Sequence, residues 1–268
     1  MSANRVLVCP KTGIIATPVD CLTCEDPCAP RNFIFSLVEV GDIVDELELE
    51  GLNIIGVSEL TDCPRRAYWK RVEPLEPLSW DSLVRIMIGS ASHEKAADAD
   101  NAFTWNELPI LLQLNNRWIL IGRVDVYDPY TQTLWDIKTT SYWAFRNGKL
   151  PYEQHVWQLS IYKWLLERVS VYPKHAKLLY VFRDAKRSQE QWVTIDVTEQ
   201  LKDGDVVYHA VTAFVEQLEE ALEASDVSQL PFPSENQRYK CEGCPWRDKC
   251  LPRKNGQVTL EVSADEQF

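Results

Sequence analysis

The chain has no apolar run approaching the roughly 18 residues that a membrane-spanning helix needs. Its first twenty residues also lack the continuous apolar core of an export signal, broken as they are by Pro10, Lys11, Pro18 and Asp20. Both absences lead us to expect a cytoplasmic protein with no membrane partner. There is no glycine-rich phosphate loop, which argues against ATP-driven work by this chain alone. No Ser-His-Asp arrangement stands out. A basic excess is missing too: 28 Lys and Arg face 40 Asp and Glu, a net charge of −12, whereas nucleic-acid binders usually show a basic footprint. The distribution qualifies that sum. Acidic residues gather in 39–50, in 216–226 and at the C-terminus, while Arg65, Arg66, Lys70, Arg71, Lys240, Arg247, Lys249, Arg253 and Lys254 lie beside cysteines. These cations either neutralise phosphates, which makes binding salt-dependent, or balance the charge of the neighbouring thiolates.

What is present is a short constellation of carboxylates and one amine. Gly122-Arg-Val-Asp125 lies in an apolar run, Trp118 to Tyr127, that ends at the turn signal Asp128-Pro129. Asp136-Ile-Lys138 follows. In a strand the side-chain period is two, so Asp136 and Lys138 share one face about 7 Å apart. If the two strands pair, Asp125 comes beside Asp136, and two anionic groups converge with an ammonium alongside. A lone Asp-x-Lys carries little weight, and the second copy, Asp184-Ala-Lys186, reads as a solvated turn. The first copy keeps better company. His93 lies upstream in a helical stretch, and imidazole is a good ligand for manganese-like ions. Gln158-Leu-Ser-Ile-Tyr162 lies downstream in a helical stretch, and residues four apart share one helix face. The remaining histidines, His155, His175 and His209, read as surface or helix-face residues.

His93, Gly122-x-x-Asp125, Asp136-x-Lys138 and Gln158-x-x-x-Tyr162, in that order, resemble the RecB-like branch of the PD-(D/E)XK nuclease superfamily. The resemblance implies an α/β (α+β) restriction-endonuclease-like core of order αβββαβ. It implies a metal-dependent deoxyribonuclease in which His93, Asp125, Asp136 and the backbone carbonyl of Ile137 hold Mg²⁺ or Mn²⁺. Lys138 would orient the attacking water and stabilise developing charge. Gln158 would position Lys138 or a substrate phosphate, and Tyr162 would contact the DNA backbone or an end base. Glu107, before the hairpin, also resembles a recurrent acidic position of these nucleases.

Eight cysteines fall into two sets of four, and in a reducing compartment clustered thiols bind metal more often than they cross-link. Cys63 with Cys241-x-x-Cys244-x(5)-Cys250 suits a 4Fe–4S cubane and tetrahedral zinc alike. Its setting resembles the iron–sulfur RecB-like nucleases, including the CRISPR-associated Cas-four-type exonucleases, which implies a 4Fe–4S cluster clasping the N- and C-terminal parts of the domain. Cys9, Cys21, Cys24 and Cys28 lie outside that family pattern. With too few apolar residues around them for a core, they fit a small Zn²⁺ knuckle whose metal supplies the folding free energy. A second iron–sulfur cluster and four incidental thiols are the other readings.

The chain divides into a cysteine-rich element (1–31), an acidic connector (32–57), the nuclease core (58–228), the cysteine loop (229–257) and an acidic tail (258–268). Expected elements are a helix from Ser58 carrying Cys63, with the Ser58 hydroxyl as its cap, and a helix over 79–98 carrying His93. Strands follow over 106–114, 117–127 and 133–139, then a helix over 152–169, strands over 176–183 and 190–196, and a helix over 203–224. Arg65, Arg66, Lys70 and Tyr162 are the candidate DNA contacts. Tyr68, Trp69, Tyr142, Trp143 and Trp246 are candidates for stacking on unpaired bases. The expected function is an exonuclease acting on single-stranded DNA or DNA ends, in CRISPR adaptation, phage or mobile-element DNA processing, or recombination repair. The partner would be an integrase or a recombination or replication complex. The alternative is a DNA-end-binding adaptor with little activity of its own; an electron-transfer protein is opposed by the intact motif set.

Overall fold

The computed structural model describes residues 52–73, 104–233 and 235–250, with short strands at 5–8, 15–16, 76–78, 253–254 and 257–258 and the single residues Thr12, Cys24 and Gly89. His93 and its expected helix lie outside the described residues, as do Cys9, Cys21 and Cys28. The N-terminal strand β1 (Arg5–Val8) pairs with β2 (Ile15–Ala16) and, in parallel, with a strand at Glu76–Leu78.

The core is a six-stranded mixed sheet. Its strands are β3 (Asn53–Gly56), β5 (Trp105–Gln113), β6 (Trp118–Asp128), β7 (Thr133–Thr140), β8 (His175–Phe182) and β9 (Trp192–Asp196), with Glu76–Leu78 counted as β4. The order is β3-β6-β7-β8-β9, and β5 also pairs with β6. A strand has two hydrogen-bonding edges. Antiparallel β5 occupies one edge of β6 along nearly its whole length, from Trp105↔Tyr127 to Gln113↔Ile119. The other edge is shared. Parallel β3 takes the start of β6 (Asn53↔Trp118 to Gly56↔Ile121), and antiparallel β7 takes its end (Val126↔Trp135 to Asp128↔Thr133). The Gly122–Asp125 segment between them is bridged by neither strand.

Local chemistry explains the turns. Asn115 Oδ1 accepts from the amides of Arg117 and Trp118 at 2.8 and 2.9 Å, closing the β5–β6 hairpin. Asp128 Oδ1 accepts from the amides of Tyr130 and Thr131 at 2.9 and 3.2 Å, closing β6–β7. β7 and β8 run parallel, and the crossover between them carries a short helix and a long one.

The expected helix from Ser58 divides in two, α1 (Val57–Leu60) and α2 (Pro64–Val72). Pro64 is the reason: a residue before proline is pushed out of the helical region, and Cys63 sits at φ −68°, ψ 122° as the cap of α2. Ser58 lies inside α1 and Gly56 is its N-cap, with no side-chain cap bond. Two further elements fall where loop or connector was expected. Asn53–Gly56 forms β3, and Tyr142–Arg146 forms α3, capped by the Ser141 hydroxyl, which accepts from the Ala144 amide at 3.3 Å.

The long crossover helix α4 (Glu153–Arg168) and the C-terminal helix α5 (Gly204–Ala224) agree with the apolar spacing. In α5, Val207, Val211, Val215, Leu218 and Ala221 recur at three- and four-residue steps and are buried. They meet Leu159, Leu165 and Leu166 of α4 and the sheet residues Leu120, Val124, Leu134 and Leu178 in one core.

Candidate active site

The site forms where β6 changes neighbours. Extending the β6–β7 register by one step sets Asp125 opposite Asp136, but the ladder stops at Val126↔Trp135. There the Asp125 side chain takes over: its Oδ2 accepts the Ile137 amide at 2.7 Å. The same extension on the other edge places Glu107 opposite Asp125, between the pairs Asn106↔Val126 and Leu108↔Val124. Glu107 has φ +49°, in the left-handed region. This is an outlying conformation for a non-glycine residue, and such strain concentrates at functional sites. Three carboxylates thus stand on adjacent strands, all close enough to be felt by Lys138, although they are not gathered at metal-holding spacing. Asp136 is fully buried and Asp125 nearly so.

Lys138 supplies the compensating charge. Its Nζ donates to Asp136 Oδ1 at 2.8 Å. Burial pulls the ammonium pKa down, but the charges of Asp136, Asp125 and Glu107 outweigh it, and the net shift is upward.

Gly122 has a steric reason. A Cβ there would meet Leu165 Cδ1, Tyr162 Cε1 and Val57 Cγ2, each at 3.1 Å. The missing side chain lets α4 lie against β6 and carries Gln158 and Tyr162 to the carboxylates. Gln158 Nε2 donates to the Tyr162 hydroxyl at 3.1 Å. Burial, followed by the Asp136 charge, drives the Tyr162 pKa strongly upward. Both side chains are buried. Gln158 gives one amide hydrogen to Tyr162, and Tyr162 is buried next to the carboxylates and not exposed as a DNA contact would be.

His155 departs from its expected place on an idle helix face. Its Nδ1 lies 2.8 Å from the Tyr180 hydroxyl, which also accepts the Tyr152 amide at 3.2 Å. Tyr180 is the β8 register partner of Lys138. Burial first, then the Lys138 and Lys240 charges, push the His155 pKa down to about 3. No motif announced Tyr180; its only signal was an alternating strand pattern, which says that a residue is buried but not beside what.

At the other pole, Cys63, Cys241, Cys244 and Cys250 are free thiols. Burial pushes Cys63 up to about 11 and raises the other three. The Cys241 charge adds to the upward shift of Cys63, Cys244 and Cys250, and the Cys250 charge adds to that of Cys244. Trp69 Nε1 donates to Cys250 Sγ at 3.0 Å. Half-buried thiols with raised pKa values are poor thiolates alone, and a metal that takes them as ligands reverses the cost. The donor set therefore fits such a group, although among the described residues no three His, Cys, Asp or Glu side chains are gathered at metal-holding spacing.

The cations beside these cysteines are largely spent within the fold. Arg65 is buried, donates to the Leu230 carbonyl at 2.8 Å and lies 3.6 Å over the Phe232 ring, so it is not exposed to a phosphate as expected. Asp62 pairs with Lys240 at 2.8 Å and Arg66 at 3.1 Å. Arg71 pairs with Glu59, and Lys249 with Glu73. Lys70 is exposed.

A mixed sheet that converges carboxylates and a lysine at a strand switch defines an α/β fold with a nuclease-type centre. The family model of the PD-(D/E)XK nuclease superfamily matches residues 95–251, and the chain belongs to that superfamily. Its members use divalent metals such as Mg²⁺ or Mn²⁺. Among solved structures, the crystal structure of SSO0001 is similar at a TM-score of 0.53 and 17% identity, over 82% of this chain and 92% of that one, and supports the fold. An alkaline exonuclease, LHK-Exo from Laribacter hongkongensis, aligns at a TM-score of 0.43 and 12% identity, over 67% and 95% of the two chains. A phage-related exonuclease from Haemophilus somnus 129PT aligns at 0.37 and 13%, over 53% and 73%. Comparison with curated protein sequences gives no match. No helix among the described residues is long and apolar enough to cross a membrane.

Proposed function

We propose that this protein is a cytoplasmic, metal-dependent deoxyribonuclease that trims single-stranded DNA or DNA ends. The observation that carries the reading is the convergence of Asp125, Asp136 and Lys138 around the Ile137 amide. Asp125, Asp136, the Ile137 carbonyl and His93 are the residues that would hold Mg²⁺ or Mn²⁺, with Glu107 beside them. When bound, such an ion polarises the phosphoryl oxygen and lowers the pKa of a coordinated water.

The chain's own contribution is placement and charge. Lys138, an ammonium held by Asp136, stabilises negative charge building on the phosphoryl group and donates hydrogen bonds to it. Tyr162 and Gln158 hold the buried floor in place. Cys63, Cys241, Cys244 and Cys250 take a 4Fe–4S cluster that staples the C-terminal loop to α2, and Cys9, Cys21, Cys24 and Cys28 take Zn²⁺. The surroundings of the activity are CRISPR adaptation, mobile-element DNA processing or recombination repair, with an integrase or a recombination complex as partner. The −12 net charge favours a protein partner, and it also supports a second reading, in which the chain is a DNA-end-binding adaptor that cleaves little.

The test is digestion of labelled single- and double-stranded DNA with Mn²⁺, comparing wild type with Asp136→Ala. Metal-dependent cleavage lost in the variant supports the enzyme. Binding without cleavage by the wild type selects the adaptor. Iron and zinc counted per polypeptide after anaerobic purification, with visible absorbance bleached by dithionite, decide the thiol sites; zinc alone at both sets overturns the cluster.

A further inference from the structure

A cavity of about 900 Å³ opens between the α1–α2 turn, α3 with the loop after it, the first turns of α4, and α5. None of the proposed metal-holding or catalytic residues lines it. Its lining includes Trp143, Lys149, Tyr152, Gln154 and Trp157.

Trp143 is 62% exposed, and its ring has no aromatic partner among the described residues. Yet its backbone is firmly held. Ser141 caps α3, the Tyr142 amide donates to Asp184 Oδ1 at 2.6 Å, and Tyr142 and Phe145 pack on Phe182 at centroid distances of 5.4 and 5.2 Å. A large indole on a fixed backbone loses little freedom when a planar ligand stacks on it. Lys149 is exposed at the same rim and forms no ion pair among the described residues. Of the two lining carboxylates, Asp62 is already covered by Lys240 and Arg66, while Glu153 stays exposed at the first turn of α4.

The cavity wall is linked to the catalytic centre through hydrogen bonds, although Asp125, Asp136 and Lys138 do not line it. Tyr152, in its wall, donates its amide to the Tyr180 hydroxyl at 3.2 Å, and Tyr180 is the register partner of Lys138. Adjacent strands lie about 4.8 Å apart. On α4, Trp157 and Ile161 line the cavity while Gln158 and Tyr162, the next residue in each case, serve the site.

We infer that this cavity takes an unpaired base of a single-stranded DNA end, with the base stacked on Trp143 and a neighbouring phosphate on Lys149. The inference rests on the nuclease reading and adds a specificity to it. A paired base hides its face in the duplex stack, so only unpaired ends gain the contact. Stacking on an aromatic side chain tolerates any base, and the pocket therefore selects strand state and not sequence.

The experiment is fluorescence anisotropy of labelled oligothymidylate with Ca²⁺ in place of Mg²⁺ or Mn²⁺, under conditions where no turnover is seen, with an oligonucleotide of the same length carrying abasic positions at its end. Wild type should bind the abasic strand roughly 10-fold more weakly or worse, and Trp143→Ala should weaken binding of the intact strand by a similar factor, since removing one stacking aromatic typically costs about 5- to 150-fold. The abasic strand should cost Trp143→Ala nothing further, and Trp143→Phe should recover much of the loss. Lys149→Ala should flatten the salt dependence by about one phosphate contact. If Trp143→Ala binds both strands as wild type does, while wild type cleaves DNA with Mn²⁺, the pocket assignment fails and the nuclease stands. If wild type neither binds nor cleaves, both fail. The abasic comparison needs only wild-type protein, so the test survives a variant that does not fold.

Discussion

Asp125 accepts the backbone amide of Ile137 through its side chain, at 2.7 Å, at the point where the β6–β7 ladder ends. One carboxylate therefore has two duties. It closes a main-chain donor that the strand register leaves open, and in the proposed function it would also hold a cation. The duties separate by substitution. Asp125→Ala removes the acceptor and should cost about 1–3 kcal/mol of stability, the usual penalty for stranding a buried donor, together with cleavage. Asp125→Asn keeps a side-chain acceptor, so its denaturant midpoint should stay near wild type while Mn²⁺-dependent digestion is still lost. Equal stability losses in the two variants would show that the amide bond contributes nothing special.

Lys138 and Asp136 form a charge pair at this strand switch, with Asp136 wholly buried. That burial makes the lysine matter to stability as well as to activity. Lys138→Met keeps the aliphatic stem but leaves a carboxylate without its cation, and breaking a buried pair from one side costs about 3–5 kcal/mol. Lys138→Met should therefore unfold well below wild type in urea, and Asp136→Asn combined with Lys138→Met should recover part of that loss. Both proteins should be inactive. A single variant as stable as wild type would mean that water reaches Asp136 freely.

Much of this was legible in the chain because its signals were local. Asn115 and Asp128 mark their turns by side-chain chemistry that acts within three residues. The apolar periods of α4 and α5 survive in the fold. Asp125, Asp136 and Lys138 converge because the hairpin register follows from the turn between them. What the chain hid depends on distant partners. Arg65 reads as a DNA contact until Leu230 and Phe232 arrive from the C-terminal part to occupy it. His155 has no ligand near it in sequence, and its partner Tyr180 belongs to a strand that follows the whole of α4. Four residues at Asn53–Gly56 are too few to announce a strand, and they become one only because β6 offers half an edge.

Gly122 tests whether the helix position sets the chemistry. With three side-chain carbons each 3.1 Å from the position of an added Cβ, Gly122→Ala must push Tyr162, Leu165 or Val57 aside by a few tenths of an ångström. Overpacking of this kind costs about 1–3 kcal/mol. Because Tyr162 carries Gln158 with it, turnover should fall by more than the stability loss explains, at a temperature where the variant is fully folded. Unchanged turnover in a destabilised variant would reduce Gly122 to a packing residue.

His155 makes acid stability a readout of the same region. In the folded protein its imidazole faces the Tyr180 hydroxyl and feels the Lys138 and Lys240 charges, and its pKa falls to about 3. The unfolded chain takes up that proton near pH 6.5. Between those values the unfolded state binds the extra proton, so stability rises with pH. The contribution is complete above about pH 6.5 and is lost as pH falls toward about 3, with a slope of at most ~1.4 kcal/mol per pH unit. Ordinary carboxylates titrate mostly below about pH 4.5, which leaves the interval from about pH 6.5 to 5 to histidine. Urea unfolding across that interval should show a clear loss for wild type and a nearly flat line for His155→Gln, which keeps a polar group for Tyr180 but cannot take up the proton. Parallel lines for the two proteins would mean that the imidazole is already accessible to water in the folded state and that the Tyr180 contact does not hold it neutral.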